Sequence, residues 1–406
     1  MQGYSELYGG EGARSRKGRL AAEFKEQFGE APAYFFSSPG RAEIVGNHTD
    51  HNGGKVLVSA ISCDVMAAVS PRSDGNVVIA SGAYYPIRFS VHDLSVRERE
   101  RGRSISLVRG ILRYLSGLGY SFGGFSCVTH SNIFRGAGVS SSAAFEVLIA
   151  EIVNELYLGG RLPAMDKARA GMYAENDYFG KPCGLLDQAG IALGGLNEID
   201  FSSREPLVAP VPAPEGYRLV LTNTGGSHAK LTNHYADIRR EMGEVAAFFH
   251  KKYLFELSER DLLEALPELR QKVSDRAVLR AFHFFEENKR VELAARALQE
   301  GDTALFFEQV LSSGESSLKY LQNCFIPGDT FEPVVIALKL SEKVLRGGAY
   351  RMMGGGFTGT VLAFCLAGGE DRYSREMARV FGKENVFVTD LRAEGACALS
   401  VSNENH

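Results

Sequence analysis

The sequence predicts an α+β protein of two domains, and three observations carry that reading. The chain has 406 residues, which fits two domains of roughly 100 to 200 residues each. β-like and helix-like runs are mixed in both halves without strict strand–helix–strand alternation, which favours α+β sandwiches over a doubly wound parallel sheet. Residues 203–216, SREPLVAPVPAPEG, are rich in proline and lack periodicity, as a domain boundary does. An N-terminal domain over 1–208 and a C-terminal domain over 209–406 are therefore expected.

Taken in order, residues 16–30 read as a short amphipathic helix, with Leu20, Phe24 and Phe28 at helical spacing. Between about 55 and 95 the runs KVLVSAI, VMAAVS, NVVIAS and IRFSVHDL are β-like. A helix is expected over 105–117 and a strand over 124–133. Two helices follow. SSSAAFEVLIAEIVNELYL ends at Gly159-Gly160, and AMDKARAGMYAENDYF ends at Gly180 and Pro182. The first is apolar on most sides, which places it between other elements. Past the boundary, YRLVLTNT reads as a strand, about 235–347 as mainly helical, and 360–367 and 385–390 as strands.

Composition excludes several classes of function. Hydrophobic residues are 45% and charged residues 23%, with a net charge of −4, so no bulk field draws the surface to nucleic acid or anionic membrane. No run approaches the ~20 apolar residues that cross a bilayer, and the first eighteen residues hold no signal-peptide core. The six cysteines form no C-x-x-C pair and the nine histidines no H-E-x-x-H pattern. That reads as reduced thiols of a cytoplasmic protein, without structural or hydrolytic zinc.

Three glycine-framed motifs carry chemistry. PGRAEIVGNHTDHNGG, residues 39–54, packs Arg41, Glu43, Asn47, His48, Asp50 and His51 into a short span. Its tip is turn-like and a solvated hairpin loop is the bland reading. So many polar side chains next to a strand instead suit a polyhydroxylated ligand. RGAGVSSSAAFEV, residues 135–147, sets glycines and three serines ahead of a strong helix, a backbone anion site at a helix N-terminus. A serine cap alone is ordinary, and no Walker P-loop occurs. RMMGGGFTGTVLAF, residues 351–364, satisfies G-x-G-x-x-G formally. A β-like run rather than a helix follows, so it reads as a turn that lets backbone approach a neighbour, not a dinucleotide fingerprint. A fourth segment, CGLLDQAG, places Asp187 where a helix begins.

These segments resemble the galactokinase family of the GHMP kinases. The first matches G-R-x-N-x-I-G-E-H-T-D-Y-N-G-G, the second G-x-G-L-S-S-S-A-A with Val139 for leucine, and the third G-G-G-F-G-G with Thr358 for glycine. CGLLDQ corresponds to the family's C-G-I-M-D-Q, and TNTGGSHAKLTNHY to a segment whose terminal tyrosine, here Tyr235, lies against the sugar. The matches run from about residue 24 to 364 in the family's order.

The resemblance implies a GHMP kinase fold, a ribosomal-protein-S5-like N-terminal and a ferredoxin-like C-terminal domain with the active site between them. It also implies ATP-dependent phosphorylation of the anomeric hydroxyl of galactose. Arg41 and Asp187 are the implied catalytic pair. Asn47, His48, Asp50, Gly184 and Tyr235 are implied to contact the sugar. Gly136, Ala137, Gly138, Val139, Ser140, Ser141 and Ser142 are implied to hold the phosphates, and Ser142 and Glu175 a Mg²⁺ ion. The implied partners are sugar and ATP, with the protein a monomer or weak homo-oligomer.

Three departures bear on the substrate. Asn47 stands where glutamate contacts the C6 hydroxyl, His51 where tyrosine is usual, and Glu43 where asparagine is usual. Loss of a negative charge at 47 and a possible positive one at 51 would ease entry of a C6 carboxylate, so galacturonate is the alternative substrate. A non-catalytic sugar sensor is the alternative class, disfavoured by the complete set Arg41, Glu175, Asp187 and S-S-S-A-A. Mevalonate and homoserine kinases have no need of the H-T-D-x-N-G-G segment.

Overall fold

The structure is a computed structural model and describes residues 11–82, 85–133, 138–225 and 231–399. The expected phosphate-loop residues Gly136 and Ala137 lie outside these. The first half comprises α1 (Glu11–Phe28), β1 (Tyr34–Val45), β2 (Lys55–Arg72), β3 (Asn76–Ala80), β4 (Ile87–Ser90), α2 (Ser104–Gly117), β5 (Gly124–Ser131), α3 (Ser141–Tyr157), α4 (Ala164–Tyr173), α5 (Leu186–Leu193), β6 (Leu196–Asp200) and β7 (Leu207–Val211). The second comprises β8 (Tyr217–Asn223), α6 (Thr232–Phe248), α7 (Glu259–Glu264), α8 (Leu266–Leu269), α9 (Asp275–Gln299), α10 (Thr303–Ser316), α11 (Pro333–Val344), β9 (Ala349–Met353), β10 (Thr360–Leu366), α12 (Glu370–Phe381), β11 (Val386–Thr389) and β12 (Cys397–Leu399).

The larger sheet runs β12-β1-β2-β5-β3-β4, with β6 paired to the start of β2 and β7 beyond it. Among the described residues only β3 with β5 is parallel in it. KVLVSAI and VMAAVS, read as separate runs, are one long β2. Its first half pairs with β6 and its second with β5, and the β1–β2 register shifts opposite the junction, between Pro39 and Gly40. Alternation along the strands sorts the core. Phe36, Ala67 and Val69 face α2–α5 in one cluster, whereas Phe35, Met66 and Ala68 face Leu20 and Phe24 of α1 in another. The smaller sheet, β11-β8-β10-β9, is antiparallel throughout.

The expected boundary at 208/209 falls inside β7. β7 reaches Val211 and still belongs to the first sheet, so the chain crosses over at 212–216. β12 then returns to pair with β1, Phe35 opposite Leu399. Three-residue and five-residue strands give too short a period to read from sequence.

α10 touches both sheets, at β1 and β9, and α9 lies beside it against β1 and β2 of the larger sheet. α9 also packs on α6 and carries His283 and Glu287, both fully buried, towards the loop after β1. Among the described residues no helix is long and apolar enough to cross a membrane.

Candidate active site

The polar motif after β1 folds as a compact turn and not as a solvated hairpin tip. Gly46 has φ +107°, and a Cβ there would lie 2.5 Å from Val56 Cα, so glycine is required. The Thr49 hydroxyl donates to Gly46 O at 2.9 Å and Lys55 O at 2.6 Å, tying the turn to the start of β2. His48 is left with φ +60°. Ser140 (φ +57°) and Phe357 (φ +63°), in the other two motifs, share that left-handed conformation. Such strain persists only where the surroundings impose it, and it gathers at functional sites.

The three glycines between β9 and β10 form the floor beneath this turn. Gly354 O accepts from Asn47 Nδ2 at 2.8 Å, Gly355 O lies 3.0 Å from His48 Nε2, and Gly356 O accepts from the Tyr235 hydroxyl at 3.1 Å. A Cβ on Gly355 would sit 2.7 Å from the Tyr235 ring, and one on Gly356 2.2 Å from Asn323 O. The segment is a hairpin turn whose carbonyls receive side chains from elsewhere, as its flanking strands imply. Thr358 is accommodated with its hydroxyl buried and unpartnered among the described residues.

Arg41 and Asp187 meet as the resemblance implied. Arg41 Nε donates to Asp187 Oδ1 at 2.8 Å and Nη2 lies 2.7 Å from the same oxygen. Nη1 holds Gly138 O at 2.5 Å, so one guanidinium spans the aspartate and the serine-rich loop. The Ser140 hydroxyl donates to Asp187 Oδ2. Burial works to raise the Asp187 pKa, but Arg41, Ser140 and Lys181 outweigh it and hold the carboxyl below its usual range. Asp187 is the second residue of α5, where the helix dipole also favours the anion.

Gly184 and Asp50 are in contact, since a Cβ on Gly184 would fall 2.1 Å from Asp50 Oδ2. Burial first, and the Asp187 charge second, raise the Asp50 pKa to about 6. Burial lowers that of His48 to about 4, so the ring is neutral near pH 7. Both side chains are half-buried by accessible surface, yet packed atoms surround them, and it is the packing that sets their desolvation.

Asn47 is placed differently from expectation. It is fully buried behind the turn, its Nδ2 spent on Glu43 Oε1 at 2.7 Å and on Gly354 O. Its Oδ1 accepts from Asn323 Nδ2 at 2.8 Å. With both donors engaged and its oxygen occupied, it has no free donor for a sugar hydroxyl. One of the two charges that would ease entry of a C6 carboxylate is missing, because burial lowers the His51 pKa well below its normal value and leaves that ring neutral. Burial also raises the Glu43 pKa to about 7, so the carboxyl that accepts from Asn47 is only partly ionised near neutral pH.

Glu175 sits in a widened helical turn, Ala174–Phe179, that continues α4. Such π-turns often mark functional positions. Glu175 Oε1 takes the Lys181 ammonium at 2.8 Å and Oε2 accepts from Gln188 Nε2 at 3.1 Å. Gln188 also donates to Glu146 Oε2 at 2.9 Å, while Glu146 Oε1 is buried without a partner among the described residues. Ser142, exposed in the first turn of α3, lies one helical turn before Glu146 on the same face. These hard oxygen donors are of the kind that hold magnesium. The ammonium on Glu175 marks a place where positive charge is wanted, so the residues present fit the ion.

Sequence reasoning missed the support behind the turn. Glu287 Oε1 accepts from Gly46 N at 2.9 Å and Asn47 N at 3.3 Å, and His283 Nε2 reaches Asn47 O at 2.9 Å. Arg351 donates to Ile44 O at 2.9 Å. A lone glutamate or histidine in a long helix carries no motif that could have revealed these roles.

Residues 22–71 match the galactokinase galactose-binding signature, and residues 106–195 match the GHMP kinases N terminal domain. The chain is 30% identical over 389 residues to a galactokinase of Clostridium tetani (strain Massachusetts / E88), covering 93% of this chain and 96% of that one. It is 29% identical over 390 residues to a galactokinase of Lacticaseibacillus casei, covering 93% and 98%. The crystal structure of Lactococcus lactis galactokinase complexed with galactose superposes with a TM-score of 0.82 at 24% identity, covering 94% of this chain and 99% of that one. Methanococcus jannaschii mevalonate kinase superposes at 0.62 with 15% identity, covering 88% and 98%. Both likenesses concern the fold.

Proposed function

The chain belongs to the galactokinase family of the GHMP kinases, and we propose from its site that it transfers the γ-phosphoryl group of ATP to the anomeric hydroxyl of galactose. The observation that carries the reading is the single guanidinium of Arg41 joining Asp187 to Gly138 of the serine-rich loop. It holds the acceptor's orienting carboxylate beside the backbone that would cradle the phosphates.

In this reading the sugar lies between Asp50, His48 and Gly184 on one side and Tyr235 on the other. Ionised Asp50 accepts from sugar hydroxyls, and neutral His48 and Tyr235 complete the wall. Ser140 to Ser142, at the start of α3, meet the phosphates with backbone N–H groups and the helix dipole. Glu175 and Ser142 would hold Mg²⁺, which when bound neutralises charge on the β- and γ-phosphates.

The C1 oxygen forms its bond to the γ-phosphorus as the bond from phosphorus to the bridging oxygen breaks, and the electron pair leaves with ADP. Asp187 orients the hydroxyl. Because Arg41 keeps that carboxyl acidic, it is a weak base and takes the proton late, as the new bond develops. A coupled assay of ADP formation with galactose, galacturonate and mevalonate as acceptors tests the reading. Turnover on galactose well above the other two is expected, and turnover confined to another acceptor would overturn it.

A further inference from the structure

Arg41 leaves a charge unanswered. It is almost wholly buried, its charge is already paired with Asp187, and one of its donors is held by Gly138 O. A phosphoryl group in transfer spreads negative charge over three oxygens and needs a cation free to meet it. Lys181 has the reach. Gly180 (φ +85°) folds the chain back after the π-turn, and the amides of Gly180 and Lys181 both donate to Glu175 O at 3.0 Å. The lysine stem therefore starts above Glu175, and its ammonium rests on Glu175 Oε1 at 2.8 Å.

The two partners differ in freedom. The Glu175 side chain is 5% exposed and that of Lys181 63%, so the carboxylate is fixed while the lysine has a flexible, solvent-facing four-carbon stem on which to swing. The same ammonium acts electrostatically on Asp187, on Glu146 and on Tyr235 across the site. Those are the groups that would surround the reacting atoms. A divalent cation held by Glu175 would repel it, and the nearest anion to receive it is then the triphosphate.

We infer that Lys181 is a further catalytic residue, parked on Glu175 until that carboxylate takes up a divalent cation, and then turned onto the γ-phosphoryl oxygens. It stays protonated throughout and moves no proton. The inference rests on the kinase reading above and on Glu175 as a metal ligand.

Lys181→Met and Lys181→Arg, compared with the parent protein, test it by two readouts. The methionine variant is expected to lose kcat on the order of a hundredfold, the scale of one transition-state donor, and the arginine variant to recover most of it. Without nucleotide, Mn²⁺ binding followed by electron paramagnetic resonance is expected to tighten roughly twofold to fivefold in Lys181→Met, the competition an exposed ion pair exerts. Glu175→Gln should abolish that gain. A lysine that merely braced the fold would weaken Mn²⁺ binding or leave it unchanged. Unchanged kcat in Lys181→Met, or Mn²⁺ binding that fails to tighten, overturns the inference. If the parent protein does not phosphorylate galactose, the substrate reading falls, while the Mn²⁺ arm still decides the exchange at Glu175.

Discussion

At the scale of single residues, the site depends on a few side chains whose charge is set by their neighbours. Asp187→Ala should lower kcat by roughly 10²–10⁴-fold while nucleotide binding persists, as fluorescence titration with an ATP analogue would show. Asp50 gives a pH prediction with a definite sign. Its pKa is raised to about 6, so kcat/KM for galactose should fall as pH drops through 6 and the acceptor carboxylate is lost. Stability moves the other way. A raised carboxylate pKa means the folded state prefers the proton, so this group favours folding more as pH falls from 6 towards its unfolded value near 4. A pH–rate profile flat from 7.5 to 5 would contradict the assignment. Gly184→Ala would push a Cβ to 2.1 Å from Asp50 Oδ2. A displacement of that size should reduce kcat/KM roughly a hundredfold, with Tm little changed because Gly184 is exposed.

At the scale of elements, α9 anchors the substrate turn from behind. Burial works to raise the Glu287 pKa, but His283, Arg290, Arg351 and the Ser313 hydroxyl hold it at about 2. Its stabilising effect is therefore full above the unfolded value near 4.5 and fades as pH falls towards 2. Glu287→Gln should destabilise by about 3–5 kcal/mol, the effect of leaving buried arginines uncompensated, read as a shift of the urea midpoint. The same variant should raise KM for galactose, because the one amide oxygen of glutamine can accept from Gly46 and Asn47 or from Arg290 but not from both sides at once.

This element also shows where the sequence stops being legible. Arg41, Asp187, Ser140 and the glycine turn lie in dense local motifs, whose spacing announces them. The partners that hold them, Glu287, His283, Asn323 and Arg351, are separated from the turn by more than two hundred residues. Glu287 and His283 sit in a helix, Arg351 in a strand and Asn323 in a loop, and they meet it only through the fold. The hydrogen bonds that Asn47 makes were hidden for the same reason. Its residue type and position were visible, but the Glu43, Gly354 and Asn323 atoms that consume its hydrogen bonds were not. The π-turn at 174–179 likewise hid inside a helical pattern that simply continued α4.

At the scale of the whole molecule, two sheets share one apolar core. The largest cluster runs from Phe36 and Val147 in the first half to Leu219, Phe306 and Phe364 in the second. A perturbation in either half should therefore be felt as one transition. Leu399→Ala, which removes a fully buried side chain from the cluster of Leu20, Phe24 and Phe35, should destabilise by about 2–3 kcal/mol. Calorimetry should show a single peak at lower temperature, and a separate early peak with the main one unmoved would contradict a shared core.

The return of β12 to β1 has a consequence for biosynthesis. Until residue 399 emerges from the ribosome, the outer edge of β1 at Phe35–Ser37 has no strand to pair with, and Phe35 and Leu20 lack part of their cover. All the other strands of both sheets are thus made before that edge closes, and a nascent sheet with an open apolar rim is prone to mispairing. Completion of the first sheet is a long-range event, timed by the arrival of β12 and not by the folding of its own segment, and the nascent polypeptide is most exposed to chaperones in that interval.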